Sequence, residues 1–290
     1  MVAKRRRSVK RWLASVVAIV IAALAAVVAV GLHNSRSMPI VRRVTLHVPG
    51  LARDTDPIRV ALLADIHLGN SGMTATRLAK IVEQVEATRP DMILLAGDFV
   101  TGHDAQGATE RAEGLTVPLA RLSAPLGVVA VLGNHDYWTA ALTVRTALMR
   151  AGVTVLENKA VRLGPFAVVG IGDRFSGHDD IRASLTQMRR AGGMPIILTH
   201  SPDLVPDLPN NLPLVLTGHT HCGQVVLPLI GPLVMHAPKD HWRRLYNPRY
   251  RCGIVRDGKR TTIITAGVGS GTSTIRIGAM PDWWLISLAP

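Results

Sequence analysis

Five short polar islands constrain this 290-residue chain more than any other feature: Asp65-Ile-His67, Gly97-Asp98, Gly133-Asn134-His135-Asp136, Thr199-His200 and Gly218-His219-Thr220-His221. Each closes an apolar run with the pattern of a buried strand: VALLADIH, MILLAGD, VVAVLGNHD, PIILTH and LVLTGHTH. Strand ends are rigid places from which loops converge on one point. A fold that honours all five must bring the carboxyl ends of several strands together. Any one island alone reads as an ordinary turn with a satisfied histidine. Five in this order, sharing one residue set, do not.

Asp65, Asp98, Asn134 and the histidines 67, 135, 200, 219 and 221 are too many donors for one tetrahedral ion, and enough for two metals. Two divalent ions roughly 3.5–4 Å apart can clamp the attacking and leaving oxygens of an in-line displacement at phosphorus. Such a pair needs a bridging anion, which Asp98 can supply, and a bridging water acidified by coordination. Imidazoles and an amide oxygen complete the shells without charge that repels phosphate. A histidine outside the shells could protonate the leaving group.

The order D-x-H, G-D, G-N-H-D, H, G-H-x-H resembles the calcineurin-like metallophosphoesterases, and most of all their small bacterial membrane-attached phosphodiesterases. The resemblance runs from about Ile58 to the C-terminus and takes in GHTHCGQV (218–225) and AGVGSGTSTIRIGAMPDWWLISL (266–288). It implies a four-layer α/β/β/α sandwich with two divalent ions, manganese, iron or zinc, at the strand ends. It further implies that Asp65, His67 and His221 hold one ion, that Asn134, His200 and His219 hold the other, and that Asp98 bridges them by the same metal-bridged hydroxide chemistry. His135 would serve the leaving group or the equatorial oxygens, with Asp136 as an orienting partner. Thr101 stands where many relatives carry an acidic residue, which leaves His135 without a carboxylate from that loop unless Asp104 replaces it. A non-catalytic scaffold derived from the site would show eroded ligands, and only the Thr101 position departs.

The net charge of +13 suggests nucleic acid until it is located. Lys4, Arg5, Arg6, Arg7, Lys10 and Arg11 account for six of those charges, and the remainder forms no basic stripe interleaved with aromatics. No dedicated nucleic-acid partner is expected. Trp12–Leu32 contains no charged residue, and about twenty such residues span the ~30 Å hydrocarbon core. The expected organisation is a basic cytoplasmic N-terminus (1–11), a transmembrane anchor (12–32), a tether carrying an edge strand in VRRVTLHVP (33–57) and a catalytic domain (58–290). The positive-inside rule puts that domain on the extracytoplasmic face of the cell membrane. A cleaved signal peptide is the competing reading, but the apolar run exceeds the roughly 7–15 residues of a signal core.

Alternating strand and helix patterns predict an α/β fold. Helices are expected over Thr74–Ala87, around Leu115–Leu122, over Tyr137–Arg150 and over Asp180–Arg189. Strands are expected at Asp91–Leu95, Val128–Leu132, Val153–Leu156 and Ala167–Ile171, and a mostly β tail from Val225. Cys222 and Cys252 are read as buried free thiols, with a pair as the alternative if the domain is exported. Substrate contacts are expected from Arg174, His178 and Arg276, with Lys239, Arg243 and Arg244 in a further candidate loop, because guanidinium forks suit phosphate oxygens. His33, His47, His236 and His241 read as surface or structural, and His103 as a solvated loop residue. The substrate class is a phosphorylated small molecule or a lipid-linked phosphodiester or pyrophosphate. The resemblance suggests a UDP-diacylglucosamine type, although an exported domain would not meet a cytoplasmic nucleotide–lipid. A phosphomonoesterase or nucleotidase on the same centre is the alternative. Nothing in the sequence points to an oligomeric state.

Overall fold

The computed structural model describes residues 2–48, 51, 56–237 and 243–290, with side chains from Lys10 onward, so Lys239 and His241 lie outside the described residues. Helix α1 (Val2–Arg36) extends beyond the apolar segment at both ends. The strands are β1 (Ile40–His47), β2 (Ile58–Leu63), β3 (Met92–Ala96), β4 (Val128–Val131), β5 (Thr154–Val155), β6 (Lys159–Leu163), β7 (Phe166–Gly170), β8 (Met194–Leu198) and β9 (Leu214–Thr217). Two short ribbons follow, β10 (Val226–Leu227) with β11 (Gly231–Pro232) and β12 (His236–Ala237) with β13 (Arg243–Arg244). β14 (Gly253–Asp257), β15 (Arg260–Ile264) and β16 (Asp282–Ala289) complete the set.

Two six-stranded sheets form, ordered β1-β16-β2-β3-β4-β5 and β14-β15-β9-β8-β7-β6. β2 through β5 run parallel, as do β7, β8, β9 and β15. Period-two alternation sorts their side chains into layers. Val60, Leu62, Leu94 and Val129 meet Phe166, Val168, Ile196 and Leu216 between the sheets. Ala61, Leu63, Ile93, Leu95 and Ala130 point the other way, onto helices. Val169, Ile197 and Val215 face the opposite helical layer. The result is the four-layer α/β/β/α arrangement.

Helix α2 (Ala75–Glu86) starts where the Thr74 hydroxyl accepts from the Arg77 N–H, and buries Leu78, Ile81, Val82 and Val85, the expected stripe. α3 (Ala108–Leu119) begins earlier than expected and buries Ala112, Leu115 and Leu119. The helix expected over 137–150 is two, α4 (Asn134–Thr139) and α5 (Ala141–Arg150), because Ala140 leaves the helical region at φ −163°, ψ 77°. α6 (Ile181–Ala191) is capped by Asp180 and stopped by Gly192. β6 had no apolar run to announce it, since it carries Lys159 and Arg162 at the sheet edge.

Cys222 and Cys252 form a disulfide, with Cα atoms 4.7 Å apart, which corrects the free-thiol reading. Spatial proximity across 30 residues is not written in either cysteine's neighbourhood.

Phe166 is fully buried between the sheets. Phe166→Ala should therefore cost about 3–5 kcal/mol of stability through lost contacts and a cavity. Urea unfolding of the detergent-solubilised chain checks this; a loss under about 1 kcal/mol would mean the layer repacks.

Candidate metal centre

The five islands lie at the carboxyl ends of β2, β3 and β4 in one sheet and β8 and β9 in the other. The backbone there is bent hard. Asp65, His67, Asp98, His219 and His221 all take positive φ, between 47° and 70°. Non-glycine residues adopt that region at a cost and persist in it where the surroundings enforce it. The bends turn side chains that would continue a strand's alternation toward a common centre. Neighbouring turns are tied together: the Asp65 N–H donates to the Gly97 carbonyl (2.9 Å), His67 N–H to Asp98 O (3.0 Å) and Gly218 N–H to His200 O (3.1 Å).

The seven residues expected as ligands form one continuous cluster. Asn134 Oδ1 lies 3.1 Å from His200 Nε2, which lies 3.2 Å from His219 Nδ1 and 3.3 Å from Asp98 Oδ2. The same Asp98 oxygen is 3.5 Å from His67 Nε2, which is 3.2 Å from His221 Nε2, itself 3.6 Å from Asp65 Oδ1. Asp98 thus stands between Asn134, His200 and His219 on one side and Asp65, His67 and His221 on the other. Three overlapping Asp/His groups, Asp65-His67-His221, His67-Asp98-His135 and Asp65-Asp98-His200, each hold their donor atoms within 4.8 Å. These Asp/His groups can hold metal ions.

Whether the donors fit cations is decided by what surrounds them. Two imidazoles donate their outward nitrogen to a carbonyl, His200 Nδ1 to Ala96 O (2.7 Å) and His219 Nε2 to Leu245 O (2.8 Å). In its neutral form each then carries a lone pair on the inward nitrogen, the arrangement metal-binding histidines use. Burial pushes His67 down to about 3, and burial followed by the neighbouring His67 ring puts His221 well below the ordinary histidine value. Burial and then the His200 charge lower His219 as well. Burial raises Asp65 to about 8. Burial also pushes Asp98 upward, but the charges of His200 and His135 outweigh it and hold the carboxyl well below its usual range. His200, opposed by burial, is lifted well above its ordinary value by Asp98. Burial thus favours the neutral form of His67, His219 and His221, while Asp98 favours positive charge beside it. This is the donor chemistry of a metal centre.

Asp136 does something other than orient His135. Its carboxylate accepts from the N–H groups of Asp98, Phe99, Val100 and Gly133 at 2.9–3.2 Å, while Asp98 Oδ1 accepts from the His135 N–H at 2.8 Å. The two aspartates clasp each other's loop. The clasp needs close approach: a Cβ at Gly133 would stand 2.3 Å from Asp98 Oδ1. The His135 ring is held instead by the Gly102 carbonyl, 2.7 Å from Nδ1. Because a carbonyl only accepts, Nδ1 carries a proton. The loop without an acidic residue at Thr101 thus supplies a backbone oxygen one residue later.

The three expected substrate residues do not gather at the cluster as phosphate donors. Arg276 is fully buried, donating to Gly269 O, Ser270 Oγ, Ala279 O and Ala266 O, with Nη2 3.0 Å from His221 Nδ1. It braces the centre from behind. Arg174 is engaged with Asp179 and Asp207, both at 2.7 Å. His178 stacks on Tyr137 with centroids 3.6 Å apart. The aromatic rim found instead was not among the expected site residues. Trp138 packs against His135 (5.1 Å) and His103 (5.3 Å), and Phe175 lies 4.7 Å from His219 with the Arg243 guanidinium 4.2 Å over its ring. The spacing of Trp138, three residues past His135 on one helical face, was the available signal.

A sandwich with Asp, Asn and His donors gathered at its strand ends has the architecture of a metallophosphoesterase domain. The chain belongs to the calcineurin-like phosphoesterase family, whose model matches residues 58–223. It is 30% identical over 303 residues to a Danio rerio transmembrane protein with metallophosphoesterase domain, covering 96% of this chain and 64% of that one. It is 28% identical over 243 residues to the metallophosphoesterase YkuE of Bacillus subtilis, covering 80% and 79%. A metallophosphoesterase of Aquifex aeolicus is 28% identical over 254 residues, 86% and 91% of the two chains. The chain spans 43% and 64% of the length of the curated Caenorhabditis elegans and Danio rerio relatives it matches.

The clasp predicts a long-range effect of Asp136. Asp136→Asn replaces one acceptor oxygen with an amide donor facing backbone N–H groups, and should lower bound metal and turnover together by at least about tenfold. Metal analysis with a steady-state assay checks it; unchanged metal content with turnover lost would mean Asp136 acts on the reacting atoms.

Proposed function

We propose that this protein is a membrane-anchored, two-metal phosphodiesterase or pyrophosphatase acting on a lipid-linked substrate of the cell envelope. One observation carries the reading: Asp98 sits at the centre of a continuous donor cluster, with a three-residue set on either side. Asp65, His67 and His221 would hold one divalent ion, Asn134, His200 and His219 a second, with Asp98 shared. Bound there, such ions supply Lewis acidity to phosphoryl oxygens and bring the pKa of water toward neutrality.

The chain's own residues supply the rest. With Nδ1–H fixed on Gly102 O, His135 presents Nε2 at the border of the cluster, 8% exposed where the neighbouring His67 is sealed. In its imidazolium form that nitrogen donates a proton to the leaving oxygen. The exposed His103 and Trp138 rings lie beside it and offer faces for an organic leaving group, with buried Phe175 packed behind Trp138. Asp136 keeps Asp98 in place without touching substrate.

The anchor reading is supported by Lys10–Arg36, long and apolar enough to cross a membrane, with every residue from Lys10 to Val30 exposed, and by the name of the Danio rerio relative, a transmembrane protein with metallophosphoesterase domain. The basic cluster before it favours retention in the cytoplasm. The disulfide, being a bond of oxidising compartments, favours the same topology, with the centre outside. An envelope lipid phosphoester then suits the enzyme better than a cytoplasmic nucleotide–lipid.

Stripped of metal and resupplied with Mn²⁺, Fe²⁺ or Zn²⁺, the detergent-solubilised chain should cleave bis-p-nitrophenyl phosphate faster than p-nitrophenyl phosphate. Preference for the monoester would replace this reading with a phosphatase. Asp98→Asn should abolish nearly all turnover; activity near wild type with full metal would remove Asp98 as the bridge. His135→Ala should retain metal and lose roughly 10²–10⁴-fold in turnover, as removal of a general acid does. Loss of metal in that variant would make His135 a ligand.

A further inference from the structure

The face of the domain nearest α1 carries a second apolar element. Residues 10–30 of α1 are all exposed, and burial begins at Gly31, so the helix leaves the domain there. Its last turns are fixed to the domain. A Cβ on Gly31 would stand 2.4 Å from Ile275 Cγ2, the Arg276 N–H donates to Gly31 O (3.0 Å), and Asn34 Nδ2 donates to Arg276 O (3.1 Å). Arg77 adds bonds to the carbonyls of Arg36, Ser37 and Val268. A helix held at so many points positions the domain against whatever surface the helix crosses.

The neighbour of that junction is the β10–β11 hairpin. The Val226 N–H donates to Ile277 O (2.8 Å) and the Ile277 N–H to Gln224 O (3.0 Å), so the hairpin's base is hydrogen-bonded to the segment on which α1 docks. The turn carries Leu229, 108% exposed, and Ile230, 71% exposed; Leu233 and Val234 behind it are 53% and 54% exposed. Leu229 sits at the tip with φ 65°, in a conformation that disfavours a large side chain. Scattered exposed apolar residues are ordinary, but a contiguous set on one hairpin marks an interaction surface. Met235 O accepts from the Leu245 N–H (3.0 Å), which joins the hairpin to the segment bearing the exposed Arg244. Apolar side chains beside an arginine are the makeup of an interfacial lipid contact.

We propose that the Val226–Val234 hairpin is a second membrane contact, inserting Leu229, Ile230, Leu233 and Val234 into the leaflet from which α1 emerges. The occupant is a lipid surface, chosen because the hairpin is continuous with the docking site of the candidate anchor; the inference rests on the reading of α1 as that anchor. Its consequence concerns substrate. Only Cys222, Gly223, Gln224 and Val225 separate His221 from the hairpin, and Arg276 reaches from the α1 junction to His221. Two contacts on one face hold the metal centre near the headgroup plane, so an amphiphile is presented with its phosphate at the centre and its chains still in the bilayer.

The test uses the full chain in phosphatidylcholine–phosphatidylglycerol vesicles, its native disulfide oxidised and one added cysteine spin-labelled. Leu229→Cys and Ile230→Cys labels should collide readily with oxygen and several-fold less with a water-soluble nickel chelate, as an Ala22→Cys label within α1 does. A Val117→Cys label on exposed α3 should show the reverse. Aqueous labels at 229 and 230 with Ala22→Cys in lipid would overturn the hairpin while sparing the anchor. Labels at 229 and 230 shielded from both collision partners would overturn it in favour of a protein partner or a second copy. An aqueous Ala22→Cys label would overturn anchor and hairpin together. In the same vesicles, the Leu229→Ser/Ile230→Ser double variant should lose several-fold in kcat/KM on a bilayer-embedded phosphodiester while hydrolysing bis-p-nitrophenyl phosphate at the wild-type rate. Equal rates on both substrates would also overturn the proposal.

Discussion

The mutual clasp of Asp98 and Asp136 is the constraint on which this site depends. Two loops that leave neighbouring strands each supply a carboxylate to the other's backbone: Asp136 gathers the N–H groups of residues 98 to 100 and 133, and Asp98 receives the N–H of His135. Charged acceptors on backbone donors are among the stronger hydrogen bonds, and inside a protein they are strengthened further. They are needed because Asp98 is held at φ 57° with its second oxygen aimed at two imidazoles. Without Asp136, nothing among the described residues would tie so many of that loop's N–H groups to one point.

The β9 loop is held by different means. Its backbone takes positive φ at His219, His221, Cys222, Gly223 and Gln224, so it cannot rely on the regular ladders of a sheet. It relies on side chains. The Thr220 hydroxyl donates to Arg251 O (2.6 Å), the Gln224 amide bonds both Gly271 N–H and Ser273 O, and the disulfide joins Cys222 to Cys252 beside Arg251. A covalent link chiefly restricts the unfolded chain. Joining the loop that carries His219 and His221 to the start of β14, it also limits how far the two can part.

The strand ends were legible in the sequence because an apolar run followed by Asp, Asn or His has a pattern of its own, and α2 was legible to within one residue at either end. Roles that depend on which way a side chain turns were not. Asp136 is adjacent to His135 in sequence, yet its carboxylate points into the neighbouring loop. Arg276 has the composition of a phosphate donor, and only the fold shows its donors spent on carbonyls of its own segment. β6 was invisible because an edge strand with Lys159 and Arg162 alternates too weakly. The helix over 137–150 looked continuous because every residue in it tolerates a helix; the break at Ala140 lies in its backbone angles, φ −163° and ψ 77°, which periodicity does not record.

Arg276 deserves its cost. A fully buried guanidinium gives up strong hydration, and burial lowers it to about 10, so it stays charged at ordinary pH. A well-packed apolar residue could fill the volume with less penalty. What it could not do is balance Asp65 and Asp282, whose charges favour the cation, while fixing the carbonyls of Ala266, Gly269 and Ala279 and touching His221. The backbone of the same residue receives the end of α1 through Gly31 O and Asn34. One residue thus joins the helix junction, the turn behind Asp65 and a histidine of the donor cluster. A displacement of the helix end must either carry that histidine with it or break several buried hydrogen bonds, and the second is the costlier.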